Sequence, residues 1–362
     1  MRYLLVDTCC TGHHLTYIMS IAQACAENGE AIILLPKMED ISMIENTKNL
    51  SYMMIRNGEY RGYFSLLKQI KSIVKNQKVD IVHFVYADEF MKYFGFGFAS
   101  LGCKVILTFH QIRHSKLRTF SRKCMFRSVC CGVVHTDFIL KRLNEDGIKN
   151  VKHIEYPYFQ SVSQVGKKCA REKLGIDLEL PVLLALGGTR YDKGIDLLLE
   201  ALKQVKEPFF LLIAGEEQDI KISTIKELSA GYAKNVKMIM KFLSNEEFGL
   251  CLSASDLIVL PYRKCFDGAS GPLGEGVAYD KVIVGANHGS VGHLIEENCL
   301  GYTFESENPN DMAAVISVAL TKSYEKQAKY ILYREKLKPK RFQADYMRLY
   351  KETMEKNKKE DR

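Results

Sequence analysis

Hydrophobic positions along the 362-residue chain follow two alternating rhythms. Short, nearly continuous apolar runs mark strands buried on both faces: Tyr3–Val6, Ala31–Leu35, Tyr52–Ile55, Asp80–Val85, Lys104–Phe109, Gly132–His135 and Lys152–Glu155. Between several of them the spacing lengthens to that of a helix. His14–Asn28 sets Tyr17, Ile18, Ile21, Ala22 and Cys25 on one face before Gly29 ends it, and Tyr63–Gln77 and Phe138–Asp146 carry similar patterns. Tyr156–Lys168, with Pro157, Ser161, Ser163 and Gly166, interrupts the alternation and reads as a linker. The rhythm then restarts. Strands are predicted at Val182–Leu186, Phe209–Ala214, Val236–Met240, Leu257–Leu260 and Val282–Val284, and helices at Ile195–Val205, Ile220–Tyr232, Asn245–Ala254 and Leu273–Tyr279. The C-terminal stretch is helical and charged, with Pro309 and Pro339 at helix starts.

Strands alternating with helices predict parallel sheets covered on both faces, hence an α/β fold. The expected organisation is a Rossmann-like domain over 1–165, a second over 166–340, and a C-terminal helix in 341–362 that packs back on the first. Ligands in such sheets bind beyond the carboxyl ends of the strands, so the chemistry is expected in the loops that leave them.

Composition narrows the class. With 47% hydrophobic and 26% charged residues the chain is globular rather than disordered. No apolar run approaches the roughly 18–20 residues that span a bilayer. Only Tyr3–Val6 separate Arg2 from Asp7, which does not make a secretory signal. The eleven cysteines are scattered and never spaced C-x-x-C, as expected of reduced thiols in a cytoplasmic protein without a zinc site. Charge is uneven: residues 1–165 carry 21 Lys and Arg against 14 Asp and Glu, and the remainder 30 against 29. Within Lys104–Arg127 seven cations (Lys104, Arg113, Lys116, Arg118, Arg122, Lys123 and Arg127) occur with no acid. A solvated helix face and attraction to an anionic membrane or a phosphorylated substrate are both open readings of this run. No nucleic-acid-binding module is visible.

Two loops carry candidate chemistry. In the first, the strand Val182–Leu186 runs into Gly187-Gly188, then Arg190 and Lys193, and Gly194 opens a helix. Glycines admit close backbone approach, a helix start favours negative charge, and two cations suit a diphosphate. The loop is neither a dinucleotide G-x-G-x-x-G nor a P-loop. In the second, Leu257–Leu260 leads through Pro261 to Asp267, Gly268, Ser270, Gly271 and Pro272, with Glu275 one helical turn in. Taken alone, either loop could equally be solvated surface.

Taken together, GGTRYDKG and DGASGPLGE, about 80 residues apart, resemble the C-terminal half of retaining glycosyltransferases of the family-4 type, glycosyl transferases group 1. ASDLIVLPY and KVIVGANHGSVGHLIEENCLGYTF extend the resemblance, and TCCTGHHL, KVDIVHF and VILTFH continue it more loosely into the first half. Asp267 stands where that family usually has Glu, Ala269-Ser270 replace its Phe-Gly, and Arg190 lies closer to Lys193 than in many members.

The resemblance implies a GT-B fold: two facing Rossmann-like domains with a cleft between them. It implies that Arg190 and Lys193 neutralise the leaving diphosphate of a nucleotide-sugar, and that Glu275 binds the ribose hydroxyls. Backbone N–H groups over Ser270, Gly271 and Leu273 would cradle phosphate, with Gly188 in the facing loop. Asp267 would touch the transferred sugar, Gly12 would let the first domain's loop approach the phosphates, and His110 would line the reaction centre. No metal or other cofactor is expected, and the sequence has no D-x-D. The implied reaction moves a sugar from a nucleotide donor to a glycan or lipid-linked acceptor with retention, in surface polysaccharide assembly at the inner face of the membrane. A GT-B epimerase and a non-catalytic nucleotide- or partner-binding module are the alternatives.

Overall fold

The computed structural model describes residues 1–10, 13–39, 41–112, 115–159, 165–176 and 178–355. It divides into two compact units, Met1–Glu155 with Pro339–Arg362, and Tyr156–Lys338. Each is built on one all-parallel sheet.

The first sheet comprises β1 (Arg2–Val6), β2 (Glu30–Leu35), β3 (Leu50–Met54), β4 (Ile81–Phe84), β5 (Lys104–Phe109), β6 (Cys131–Val134) and β7 (Val151–His153), in the order β3-β2-β1-β4-β5-β6-β7. The chain winds outward from β1 in one direction and from β4 in the other, so β1 and β4 flank a topological switch point. Their side chains are almost wholly buried, as expected of strands covered on both faces.

The helix Pro339–Glu355 belongs to this unit and packs on the helix His13–Glu27. Phe342, Tyr346 and Tyr350 of that helix are buried. Tyr346 and Tyr350 enter a chain of buried hydrogen bonds through the sheet. The His135 Nε2–Tyr17 Oη distance is 3.1 Å, Tyr17–Tyr346 2.5 Å, Tyr346–Thr108 3.0 Å, Thr108–His83 Nε2 2.8 Å and His83 Nδ1–Tyr350 2.6 Å. His135 Nδ1 donates to the Ile154 carbonyl at 2.8 Å, which sets one consistent direction for every proton in the chain.

The second sheet comprises β8 (Val182–Leu186), β9 (Phe210–Ala214), β10 (Val236–Ile239), β11 (Leu257–Leu260), β12 (Val282–Ala286) and β13 (Gly301–Phe304), in the order β10-β9-β8-β11-β12-β13. Its switch point lies between β8 and β11, the strands whose exits the sequence singles out. The described start of the expected linker is bonded within this unit: the Tyr158 N–H donates to the Leu337 carbonyl at 3.2 Å.

Some elements differ from their sequence-predicted spans. The expected helix Ile220–Tyr232 is a helix at Ile222–Leu228 followed by a 3-10 turn at Ala230–Asn235. The Ser229 hydroxyl bonds back to the Ile225 carbonyl, and Gly231 weakens continuation. The basic run also differs. Helix Lys116–Arg127 buries Ser121, Arg122, Met125 and Phe126. The fully buried Arg122 lies 3.6 Å from Asp146 and bonds the Thr119 hydroxyl at 3.0 Å, so it is part of the packing and not of a solvated face. Among the described residues no helix is long and apolar enough to cross a membrane.

Candidate functional site

At the second switch point, the loop leaving β8 makes a close turn that only glycine accommodates. Gly194 has φ +64°, and a Cβ there would lie 2.0 Å from the Pro261 carbonyl oxygen. This contact seats the β8 loop directly against the exit of β11. Gly187, Gly188, Thr189, Lys193, Pro261 and Tyr262 line a small cavity at that junction.

Arg263, a residue the sequence reading does not single out, ties the two loops together. Its guanidinium takes both oxygens of Asp196, at 2.9 and 2.6 Å, donates to the Tyr191 carbonyl at 2.7 Å, and lies over the Tyr191 ring. Its own N–H donates to the Asp192 carbonyl at 3.0 Å. A forked guanidinium spanning a carboxylate and a carbonyl is a rigid brace, which a lysine would not reproduce.

The brace positions Lys193. Its ammonium stands 3.9 Å from the Tyr262 ring centre and 4.5 Å from that of Phe266, over faces that attract a cation. Burial, reinforced by the nearby Arg190, lowers its pKa to about 7. An anion in the cavity would restore the charged form. Arg190 is held differently: its fork grips Asp192 at 2.9 and 2.7 Å, so part of its charge is already compensated. The two cations expected to share a diphosphate are therefore unequal, with Lys193 the less compensated.

Ser270 caps the helix Gly271–Ala278. Its hydroxyl accepts the Leu273 N–H at 3.4 Å and pairs with the Tyr262 hydroxyl at 2.9 Å, which fixes the ring beneath Lys193. The Leu273 N–H is thus engaged in the cap, so the expected phosphate cradle over Ser270, Gly271 and Leu273 is narrower than the sequence suggests. At Gly271 an added Cβ would meet open space. At Gly188 a side chain would meet the Gln218 side chain, at 2.6 Å from its Oε1. Asp267 is partly buried and accepts the Ser290 hydroxyl at 3.2 Å, beside the start of the helix Gly289–Glu297. Glu275 is buried, and its Oε1 accepts the Phe159 N–H at 3.0 Å. That carboxylate thus holds the start of the linker whatever else it binds.

The first unit holds the other expected site residues. Gly12 lies outside the described residues. His110, at the end of β5, is buried. Its Nε2 bonds the Val85 carbonyl at 2.9 Å, and its ring stacks on Tyr86 with centres 4.0 Å apart and meets Tyr17 edge-on. Burial, with His135 nearby, holds its pKa well below the ordinary value. Within this unit His110 is a buried, neutral side chain packed against Tyr86 and Tyr17. Asp7 and His14, to which the sequence reading assigns no chemical role, meet at the carboxyl edge of β1 with 2.9 Å between Oδ2 and Nδ1. A histidine seven residues after an acid at a strand end is the signal that could have found them.

Comparison with known proteins adds the following. Residues 167–337 match the sequence family Glycosyl transferases group 1. A glycosyltransferase from Rickettsia africae superposes with a TM-score of 0.79 at 18% identity, over 98% of each chain. Sucrose-phosphate synthase from Thermosynechococcus elongatus gives 0.77 at 14%, over 98% of this chain and 99% of its own. Anabaena HepE in complex with UDP-glucose gives 0.75 at 14%, over 97% and 100%. The chain thus has the GT-B fold of these enzymes, and its second unit matches glycosyl transferases group 1.

Proposed function

We propose that the protein is a glycosyltransferase that uses a nucleotide-sugar donor. The observation that carries this reading is Lys193: a weakly compensated cation between two aromatic faces, beside a glycine turn at the switch point of a sheet matching glycosyl transferases group 1. Breaking the bond from sugar to diphosphate puts negative charge on the leaving oxygen. A fixed cation in a partly dry site stabilises that charge without reorganising. Lys193 supplies the cation, Arg190 supports it, and the turn at Ser270–Gly271 meets phosphate. Asp267 takes hydroxyls of the donor sugar, and Glu275, already fixed by Phe159, takes those of the ribose. The donor sugar keeps its anomeric configuration, and the leaving phosphate takes the acceptor's proton.

The acceptor in this reading is a glycan or lipid-linked sugar at an anionic membrane surface. Support comes from the outer face of helix Lys116–Arg127 and its surroundings. Phe64, Phe96, Leu117 and Phe120 are exposed there with Lys116, Lys123 is half-buried, and Phe94 lies against Phe120. Exposed rings among cations suit the boundary of an anionic bilayer.

The test is a thermal-shift screen across nucleotide-sugars, followed by assay of nucleoside diphosphate release. A donor at 100 times its dissociation constant adds about 2.7 kcal/mol of stability. Release that requires an added acceptor supports transfer. Turnover without an acceptor would indicate an epimerase, and binding without turnover a non-catalytic module.

A further inference from the structure

We propose that Arg263 is a positioning residue for sugar transfer: its guanidinium locks the turn that carries Lys193 and so holds that ammonium where the leaving group forms. The inference rests on the transferase reading above. Every carbonyl from Arg190 to Asp192 is engaged. That of Arg190 accepts the Lys193 N–H at 3.0 Å, that of Tyr191 accepts the Gly194 N–H at 3.2 Å and Arg263 Nη1 at 2.7 Å, and that of Asp192 accepts the Arg263 backbone N–H at 3.0 Å. At the start of the turn the Tyr191 N–H donates to Asp219 at 2.8 Å.

Of these bonds, those from Arg263 come from the exit of β11, the loop that also carries Tyr262 and Phe266. Lys193 rests on the faces of those two rings. The packing of Gly194 on the Pro261 carbonyl brings the two loops together, and Arg263 fixes their register. Its buried charge is met by both oxygens of Asp196, in the first turn of the helix Ile195–Leu202. Burial raises the Asp196 carboxyl, but the Arg263 bonds outweigh it and hold it below the ordinary range, so the pair stays ionised. A buried ion pair adds little net stability, and this one supplies fixed geometry instead. The fork spans a carboxylate and a carbonyl at once, which a lysine cannot do.

The ionisation of Lys193 reports its place. The charged and titratable groups around it are Arg190 and Asp192 on its own loop, Tyr262 beneath it with its hydroxyl on Ser270, and the Arg263–Asp196 pair. Burial, then Arg190, lower its pKa to about 7, against Asp192. A Lys193 that slips off the rings into water returns toward the ordinary 10.5.

Arg263→Lys keeps the charge and removes the fork. Competitive acetylation of the full chain with acetic anhydride, from about pH 6 to about pH 11 and read peptide by peptide by mass spectrometry, gives the Lys193 midpoint without any donor. The wild-type midpoint should lie near 7, and Arg263→Lys should raise it by about two pH units or more. Lys281 is the internal control. It precedes β12 at the opposite edge of the same sheet, bonds the Ser253 and Ser255 carbonyls, and is lowered to about 8 by burial, so its midpoint stays put while the unit is folded. Where Lys281 moves as well, Arg263→Gln replaces the variant and should shift Lys193 in the same direction. An ordinary midpoint for Lys193 in the wild type, or one that stays near 7 in a folded variant, overturns the proposal. Kinetics give a second readout with any donor that the enzyme turns over. At about pH 7 the kcat/KM of Arg263→Lys should be about 10- to 100-fold lower, and the gap should narrow toward about pH 9, as the wild-type lysine loses a charge that the variant's keeps. A gap that is constant with pH overturns the positioning role. A wild-type protein that binds no nucleotide-sugar overturns the transferase reading instead and leaves the acetylation result standing.

Discussion

The buried hydrogen-bond chain that fastens the C-terminal helix should make the first unit sensitive to acid, and His83→Gln should expose the cause. His83 is wholly buried between Tyr350 and Thr108, and burial, with His135 nearby, lowers its pKa to about 3. The unfolded chain has a pKa near 6.5 at this residue, so between those values it binds a proton that the folded protein refuses. A depressed histidine contributes fully above the unfolded value and less as pH falls through it. From pH 7.5 to 5 the loss is about 2 kcal/mol, at 1.36 kcal/mol per pH unit below 6.5. His135, lowered to about 4, loses a similar amount. Two groups oppose them: Asp88, raised to about 6 by burial, and His153, raised to about 9 by Asp137 and Glu155 against its burial. Both favour folding more as the pH falls over this range. Comparison with a single variant cancels these terms. Glutamine can keep a donor and an acceptor, so His83→Gln should cost about 1–3 kcal/mol at pH 7.5. That cost should shrink by about 2 kcal/mol at pH 5, because the variant has no imidazole to protonate. Urea unfolding read by hydrogen exchange of peptides from 339–355 follows this unit separately from the other. A cost that is the same at both pH values would refute the assignment of His83 as a neutral link.

Other expectations follow from the donor loops and the basic helix. Lys193→Ala should lower turnover by about 100- to 1000-fold, the usual loss of about 2.7–4 kcal/mol for one stabilising donor. Arg190→Ala should cost less, because Asp192 already holds that guanidinium; steady-state rates decide, and near-normal turnover by Lys193→Ala would remove the diphosphate assignment. Because Lys193 sits near pH 7 when free and an anion restores its charge, nucleoside diphosphate binding at pH 8 should take up protons and weaken by up to about tenfold per pH unit above 7. Calorimetry in buffers of different ionisation heat measures this, and zero uptake would mean that Lys193 does not meet the ligand. Vesicles rich in anionic lipid should pellet the protein and release it at salt of about 0.5 M, since each cation near the surface is worth about 1 kcal/mol and is screened within a Debye length. Lys116→Glu with Lys123→Glu should abolish pelleting, and unchanged pelleting would make the basic run an ordinary solvated face.

The parts of this molecule that were legible in its sequence are those set by local physics. Strands such as β1 and β11, buried on both faces, announce themselves as continuous apolar runs, and the Gly194 turn and the Ser270 cap follow from rules that act within a few residues. Arg122 is legible by its spacing, against its charge. It shares a helical face with Ser121, Met125 and Phe126, and the periodicity places it inward, but its charge suggested a membrane contact. Met125 and Phe126, apolar neighbours in the same basic run, are core for the same reason.

What the sequence hides is contact created by topology. Arg263 meets Asp196, and Tyr86 meets His14, only because parallel strands distant in sequence lie side by side at the two switch points. Each switch point brings together two loops that no spacing rule connects, and the two units use the junction in different ways. In the second, Arg263 braces two loops around a lysine, and the surplus is positive. In the first, Asp7 and Tyr86 orient a histidine. One sheet architecture thus carries two different junctions, with their character set by the residues at the strand exits.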